Sequence, residues 1–378
     1  MWAEAAGANV LDVDGNRFLD LTAGFGVAAV GHRHPRVVAA VAEQSARLLH
    51  GLGDVQAHPG RERLAERLCR LAPVDDPQVY FGISGSEAVE IALKTALLAT
   101  DRPEVVAFAP AYHGLTLGAL AATSRPAFRQ PFERWLGVPV HRLRYGCEPA
   151  ELAALLDDRP AVGAVLFEPV AGREGVLFPP DGWLSAVAAT ARQRSVLVIA
   201  DEIFTGFGRT GRWFGVDYEG VRPDLLVCGK ALGAGLPIAA VVGRRELLAH
   251  WTTPGEALHT ATFVANPLAC AAALAALDVF EDERLPERAR RLGEAVAGRM
   301  AGLGAHPQVA AVRGRGLLGR RHLRRHRDRR SRRAPRRHRV ARPPGHRSTG
   351  AQPPPVPGWG AVPAAPNGAT GRSLSQPP

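Results

Sequence analysis

Short runs of β-branched and large apolar residues alternate along the chain with longer segments whose apolar residues recur every three or four positions. The runs lack polar alternation, which predicts strands buried on both faces, and the periodic segments predict the helices that cover them. Strands are expected at 78–81, 105–108, 162–167, 196–200, 225–228 and 238–242, and helices near 34–49, 58–71, 87–99, 183–194 and 267–281. This order implies an α/β fold with a mostly parallel central sheet and helices on both faces. The opening NVLDVDGNRFLDL reads as a hairpin turning at Asp14-Gly15, and ERLPERARRLGEAVAGRMAGLG as a helix leaving the sheet. After Gly316 neither periodicity continues.

At 378 residues the chain is longer than one ordinary core needs, with hydrophobic residues at 46% and charged residues at 22%, near globular averages. No apolar run is long enough to span a bilayer, and the first ten residues lack the basic start and apolar stretch of a signal peptide. The expectation is a soluble cytoplasmic protein without a membrane partner. Cys69, Cys147, Cys228 and Cys270 form no C-x-x-C pair, which argues for reduced structural thiols and against a metal knuckle.

A net charge of +11 would suggest a nucleic-acid partner if it were spread evenly. It is not: from Arg313 onward there are 17 arginines and one acid, whereas the preceding 312 residues carry 30 basic against 35 acidic side chains. The body is mildly acidic. The Arg-rich segment also lacks the interleaved aromatics and lysines of an RNA-binding arm. Only two lysines, Lys94 and Lys230, stand among the 47 basic residues, so any chemistry that needs a lysine amine has two candidates.

In a doubly wound sheet, residues that directly follow a buried strand project toward the ligand crevice. AVGAVLF delivers Glu168, VLVIA delivers Asp201 and DLLVCG delivers Lys230. QVYF is followed by GISGSEAVEIALKTA, a Gly/Ser loop opening a helix whose free N–H groups suit a phosphate. Each has an ordinary reading too. Ser84 and Glu87 match a capping box, Asp201-Glu202 could cap the next segment or bind magnesium, and Lys230 could be a solvated loop lysine. The combination of amine, acid and phosphate cradle points to pyridoxal phosphate, whose aldehyde condenses with a lysine, whose pyridine nitrogen needs an acidic partner and whose phosphate needs backbone donors. Lys94, two turns inside the helix, is the weaker candidate for the amine.

The segments SGSEAVEIALK, AYHG, FEPVAG, ADEIFTGFGRTG, CGKALGAGLPIAAVVG and HTATFVANPLACAAALAAL occur in the order and spacing of the class III aminotransferases, which the chain resembles from about Val10 to Leu318. The resemblance implies a fold type I pyridoxal 5'-phosphate enzyme with a smaller, incomplete α+β domain, acting by ping-pong transamination between a small-molecule amino donor and a 2-oxo acid acceptor. It implies that Gly85 and Ser86 hold the cofactor phosphate, Tyr112 and Ile203 press the two faces of the ring, and Asp201 keeps its nitrogen protonated. Lys230 would hold the aldehyde and shuttle the proton. His113 and Glu168 join the cofactor-contacting group, Glu168 usually facing an arginine of the C-terminal domain as a gate. Thr262 would bind the phosphate of a neighbouring subunit's cofactor, which implies a homodimer. Ala171 and Arg173 stand where the 4-aminobutyrate-type pattern has Gln and Glu, and Ile83 where Asn is frequent. A glutamate-semialdehyde-type aminomutase would use the same residues, and a nucleic-acid-binding protein acting through the tail is the alternative of another class.

The resemblance divides the chain into an N-terminal segment of the small domain (1–45), a large cofactor-binding domain (46–284), the start of the C-terminal small domain (285–318) and an Arg/Pro-rich tail (319–378), disordered or out of frame. VRGRGLL should continue as x-Gly-aliphatic-acidic-aliphatic. Gly319 to Leu323 can be encoded as GGG CGT CGA CAT CTG, and a one-base shift of those codons reads Gly-Val-Asp-Ile, the expected continuation. A chain so altered would leave apolar surface uncovered and have little activity.

Overall fold

The computed structural model describes residues 1–53, 55–251 and 257–323. Seven strands form the main sheet in the order β4-β10-β9-β8-β7-β5-β6. These are β4 (Pro77–Gly82), β5 (Glu104–Ala109), β6 (Val140–Arg144), β7 (Val162–Phe167), β8 (Leu197–Asp201), β9 (Leu225–Cys228) and β10 (Ala239–Arg244). β10 runs antiparallel to both β4 and β9, while the pairs from β9 through β6 are parallel. The strands β1 (Trp2–Ala6), β2 (Asn9–Asp12) and β3 (Arg17–Leu19) make a separate antiparallel sheet, with the anticipated turn after Asp12.

The uninterrupted apolar runs do bury both faces. In β7, Val165 and Phe167 join one core cluster while Ala164 and Leu166 join the other, and β8 and β9 split in the same period-two manner. The helices Pro59–Leu71, Trp183–Arg192 and Pro267–Asp282 cover the first face, and Gly85–Thr100 covers the second. At its start Ser84 accepts a hydrogen bond from the Glu87 N–H at 3.2 Å, the ordinary cap. The edge strand β6 and the helices Leu117–Ala122 and Pro149–Asp158 have no counterpart among the expected elements. β6 reads VHRLR, a half-buried mixed sequence without the apolar continuity of the central strands.

Backbone pairing continues past Gly316, where the apolar pattern stops. β11 (Val309–Arg315) pairs antiparallel with β12 (Leu318–Leu323), so five residues of the segment assigned to a tail belong to a strand. An antiparallel ladder is held by backbone hydrogen bonds and needs no side-chain alternation, which is why the pattern missed it. Gly316 turns the hairpin at φ +58°, and a β-carbon there would overlap the backbone of Thr210 and Gly211. Leu318 is buried against Val170, Val176, Phe178 and Phe204. The described residues gather into one compact unit. The rest of the expected tail, residues 324–378, lies outside the described residues.

Candidate active site

The carboxyl ends of β7, β8 and β9 open into a cavity of about 210 Å³. Its lining includes Lys230, Asp201, Glu168, Tyr112, His113, Gly85, Ser86 and Ile203, so eight of the nine expected residues meet there. Thr262, the ninth, is exposed on the segment before the Pro267–Asp282 helix and does not line this cavity. A larger cavity, about 540 Å³, lies among Gly7, His32, Phe207 and Phe280. It has no lysine, and chemistry rather than size selects the smaller one.

Each acidic side chain has a defined setting. Asp201 ends β8, is buried, and meets His113 Nδ1 through Oδ2 at 2.7 Å, while Oδ1 accepts the Ile203 N–H at 3.2 Å. His113 is itself buried, its backbone N–H donates to Thr123 Oγ1 at 3.0 Å, and its Nε2 has no partner among the described residues. The adjacent Glu202 points elsewhere, accepting the N–H groups of Gly215 and Val216 at 2.9 and 2.8 Å and the Thr205 hydroxyl. The two carboxylates diverge and do not make a shared magnesium site.

Glu168, the expected gate, holds two backbone donors. Oε1 accepts the Tyr112 N–H at 2.9 Å and Oε2 the Gly172 N–H at 3.0 Å, and no arginine pairs with it among the described residues. Complete burial raises its carboxyl to about 7 despite these donors, and Glu202 is raised to about 7 for the same reason.

Lys230 follows β9 by two residues and takes a left-handed backbone, φ 44°, at the start of a short 3-10 turn. Its Nζ stands 5.2 Å from the centre of the Phe204 ring. Burial holds the amine below the ordinary lysine range, the nearby Asp201 and Glu168 opposing that shift without reversing it. Lys94 contrasts in every respect: it is exposed, and its Nζ meets His259 Nδ1 at 3.0 Å.

The loop and helix that close the other side fit an anion. Ser86 Oγ accepts the N–H groups of Leu115 and Thr116, both at 3.0 Å, tying the Tyr112–Thr116 segment to the first turn of the Gly85–Thr100 helix. A β-carbon at Gly85 would come within 2.8 Å of Ile203 Cδ1, and one at Gly114 would overlap Ser86. Backbone therefore approaches the cavity where side chains would fill it. A helix start, a buried acid and an amine of lowered basicity on one cavity match the donor set of pyridoxal phosphate.

Phe204, Gly114 and Arg173 line the cavity outside the expected set, and Gly26 borders it. Phe204 lies beside the lysine, and Gly26 brings the N-terminal segment up to it, since a β-carbon there would sit 3.5 Å from both Lys230 Cδ and Phe204. Only the clustering of glycines in AGFG hinted at the latter.

Comparison with known proteins gives a coherent result. A profile of the family "Aminotransferase class-III" matches residues 1–337, past the limit of Leu318 drawn from the motifs. An acetylornithine aminotransferase of Methanopyrus kandleri is 42% identical over 312 residues, covering 82% of this chain and 78% of that protein. The crystal structure of the ornithine aminotransferase from Toxoplasma gondii superposes with a TM-score of 0.80 at 34% identity, covering 85% of this chain and 77% of that one. In a second structure of the ornithine aminotransferase from Toxoplasma gondii, PLP partially occupies the active site.

Proposed function

Because this chain belongs to the class III aminotransferases, we propose that the cavity at the ends of β7 to β9 takes pyridoxal 5'-phosphate at Lys230 and transfers an amino group from an amino acid or amine to a 2-oxo acid. The observation that carries this reading is the position of Lys230, held by a buried strand end on the same cavity as Asp201. Bound there, the cofactor supplies a carbonyl for the amino group and a ring that withdraws electrons from the neighbouring carbon.

The residues divide the remaining work. A lysine amine of lowered basicity is deprotonated more often near neutral pH, and only the deprotonated amine attacks a carbonyl or accepts a proton. Asp201, oriented by His113, offers its carboxylate to a ring nitrogen and keeps a proton there. The first N–H groups of the Gly85–Thr100 helix, with Gly85 and Ser86 at their start, suit the phosphate. Tyr112 and Ile203 supply flanking apolar surface. Glu168 acts by positioning, because both its oxygens are engaged in holding Tyr112 and Gly172. Thr262, exposed, is available to the cofactor of a second copy in a homodimer.

The names of the relatives favour transfer between two molecules over an aminomutase reaction, and they lend nothing to a nucleic-acid role for the tail. They also make N-acetylornithine and ornithine the first donors to try, with pyruvate and 2-oxoglutarate as acceptors. Among the described residues no helix is long and apolar enough to cross a membrane. The reading is tested by incubating the full chain with pyridoxal phosphate, reducing with borohydride and mapping the modified peptide. Modification at Lys230 that disappears in Lys230→Ala is expected; modification that persists in the variant and maps to Lys94 overturns the assignment.

A further inference from the structure

Resting on the cofactor reading just given, we infer that Arg173 is the specificity-determining residue that binds a substrate carboxylate at the mouth of this cavity. Four observations lead there. First, Arg173 lines the cavity together with Lys230, and its guanidinium is the only one to do so among the described residues. Second, its backbone is fixed. It sits near the tip of a tight turn closed by reciprocal hydrogen bonds between Ala171 and Leu177 at 3.0 and 3.1 Å. The preceding Gly172 N–H is held by Glu168, and the following Glu174 pairs with Arg125 at 2.9 Å. A β-carbon at Gly172 would overlap the Phe204 ring, so the turn is pressed against the wall of the site.

Third, the guanidinium lies 4.1 Å from the centre of the Tyr112 ring. An aromatic contact takes no N–H group from the guanidinium, whose fork can grip a carboxylate with two parallel hydrogen bonds. Fourth, the other charged groups on the cavity are committed. Glu168 and Asp201 have both oxygens engaged, whereas no acid pairs with Arg173 among the described residues. The other arginine close to Lys230, Arg209, is half-buried, lines the larger cavity rather than this one, and donates to the Gly26 carbonyl at 2.9 Å. Amino acid donors and 2-oxo acid acceptors share the carboxylate, so a cation presented beside the reacting amine discriminates them from simple amines.

The test uses the cofactor-loaded full chain as wild type, Arg173→Gln and Arg173→Lys. Calorimetric titration with glutarate, an unreactive dicarboxylate, should give a dissociation constant at least tenfold weaker in Arg173→Gln, with Arg173→Lys between the two because it keeps the charge but loses the fork. The ratio of kcat/KM for alanine over butylamine, or for 4-aminobutyrate over butylamine, should fall by tenfold or more, chiefly through KM. A fall confined to alanine assigns the α-carboxylate and one confined to 4-aminobutyrate the distal carboxylate. Equal glutarate binding by wild type and Arg173→Gln, no binding by wild type, or unchanged ratios for both donors would overturn the inference. Equal borohydride-fixable cofactor at Lys230 in all three proteins shows that the site is intact. Its absence from wild type would instead count against the cofactor reading.

Discussion

The carboxyl edge of β7 to β9 and the β11–β12 hairpin are built on opposite principles. At the edge, buried apolar runs fix the strands and the first polar side chain after each run is delivered to one cavity: Glu168, Asp201 and Lys230. At the hairpin, backbone meets backbone. Gly316 lies against Thr210 and Gly211, a β-carbon at Gly293 would overlap Gly316, and the Leu317 N–H donates to the Arg209 carbonyl at 3.1 Å. The first region depends on which side chains are present and the second on where none is. Perturbing the edge at Asp201 or Lys230 should therefore change chemistry more than stability, and perturbing the hairpin should do the reverse.

The largest effect expected is at the edge. Asp201→Asn keeps the size of the side chain and can retain the contact with His113, but it removes the negative charge proposed to hold a proton on a ring nitrogen. The half-reaction measured by stopped-flow absorbance should slow by about two to three orders of magnitude, roughly 3–4 kcal/mol of barrier, with cofactor still bound. An unchanged rate would remove Asp201 from the mechanism and blur the distinction between the regions. At the hairpin, Gly316→Ala imposes a side chain on a positive φ and on the Thr210–Gly211 backbone together. A loss of about 3 kcal/mol in chemical unfolding is expected, larger than the usual penalty of either effect alone. A stability within experimental error of wild type would mean that the hairpin does not rest on this loop.

These two settings explain what the sequence disclosed. The β7 and β9 boundaries follow from the apolar runs to the residue, and β8 and β4 lie within a residue of expectation, because burial on both faces leaves no polar position to confuse the ends. The site residues at those ends were legible for the same reason. Contacts between distant turns were not: the bond between His113 and Asp201, 88 positions apart, and the placement of Arg173 over Tyr112 depend on how loops fold back over the sheet. β12 escaped because its arginines carry no period, although the backbone pairs from Leu318 to Leu323. Sequencing the gene across codons 316–324 tests the proposed change of frame. A frame with no downstream shift that restores an aminotransferase-like continuation would refute it.

Glu202 joins the two regions, since it follows Asp201 and also anchors the loop on which the hairpin rests. Both Glu202 and Glu168 are raised from 4.5 to about 7 by burial. Between those values the folded state keeps a proton that the unfolded chain has released, so unfolding stability falls as pH rises through this window and is greatest below it. Each residue should contribute roughly 2 kcal/mol of loss between pH 5 and pH 7, at about 1.4 kcal/mol for each pH unit over most of the interval. Glu168→Gln and Glu202→Gln should each flatten the curve by its own share, whatever their effect on absolute stability. Identical slopes in wild type and both variants would show that these carboxyls ionise normally in the folded protein.

The smallest effect expected comes from the second lysine, and it is the sharpest control on the first. Lys94 shares the Gly85–Thr100 helix with the turn proposed to bind the phosphate, and its Nζ contacts His259, whose Nε2 lies 3.3 Å from Glu87 Oε1. Glu87 in turn accepts the Ile83 N–H at 2.6 Å in the loop before the helix. A path of contacts thus leads from Lys94 to the edge of the site, but its outer end is exposed, where a single polar contact is screened and contributes little. Lys94→Ala should change unfolding stability by less than about 0.5 kcal/mol and leave both the borohydride-fixed label and the half-reaction rate as in wild type. A tenfold slower half-reaction would show that the helix start is tuned from its exposed face, and that the chemistry of the edge extends beyond the strand ends that define it.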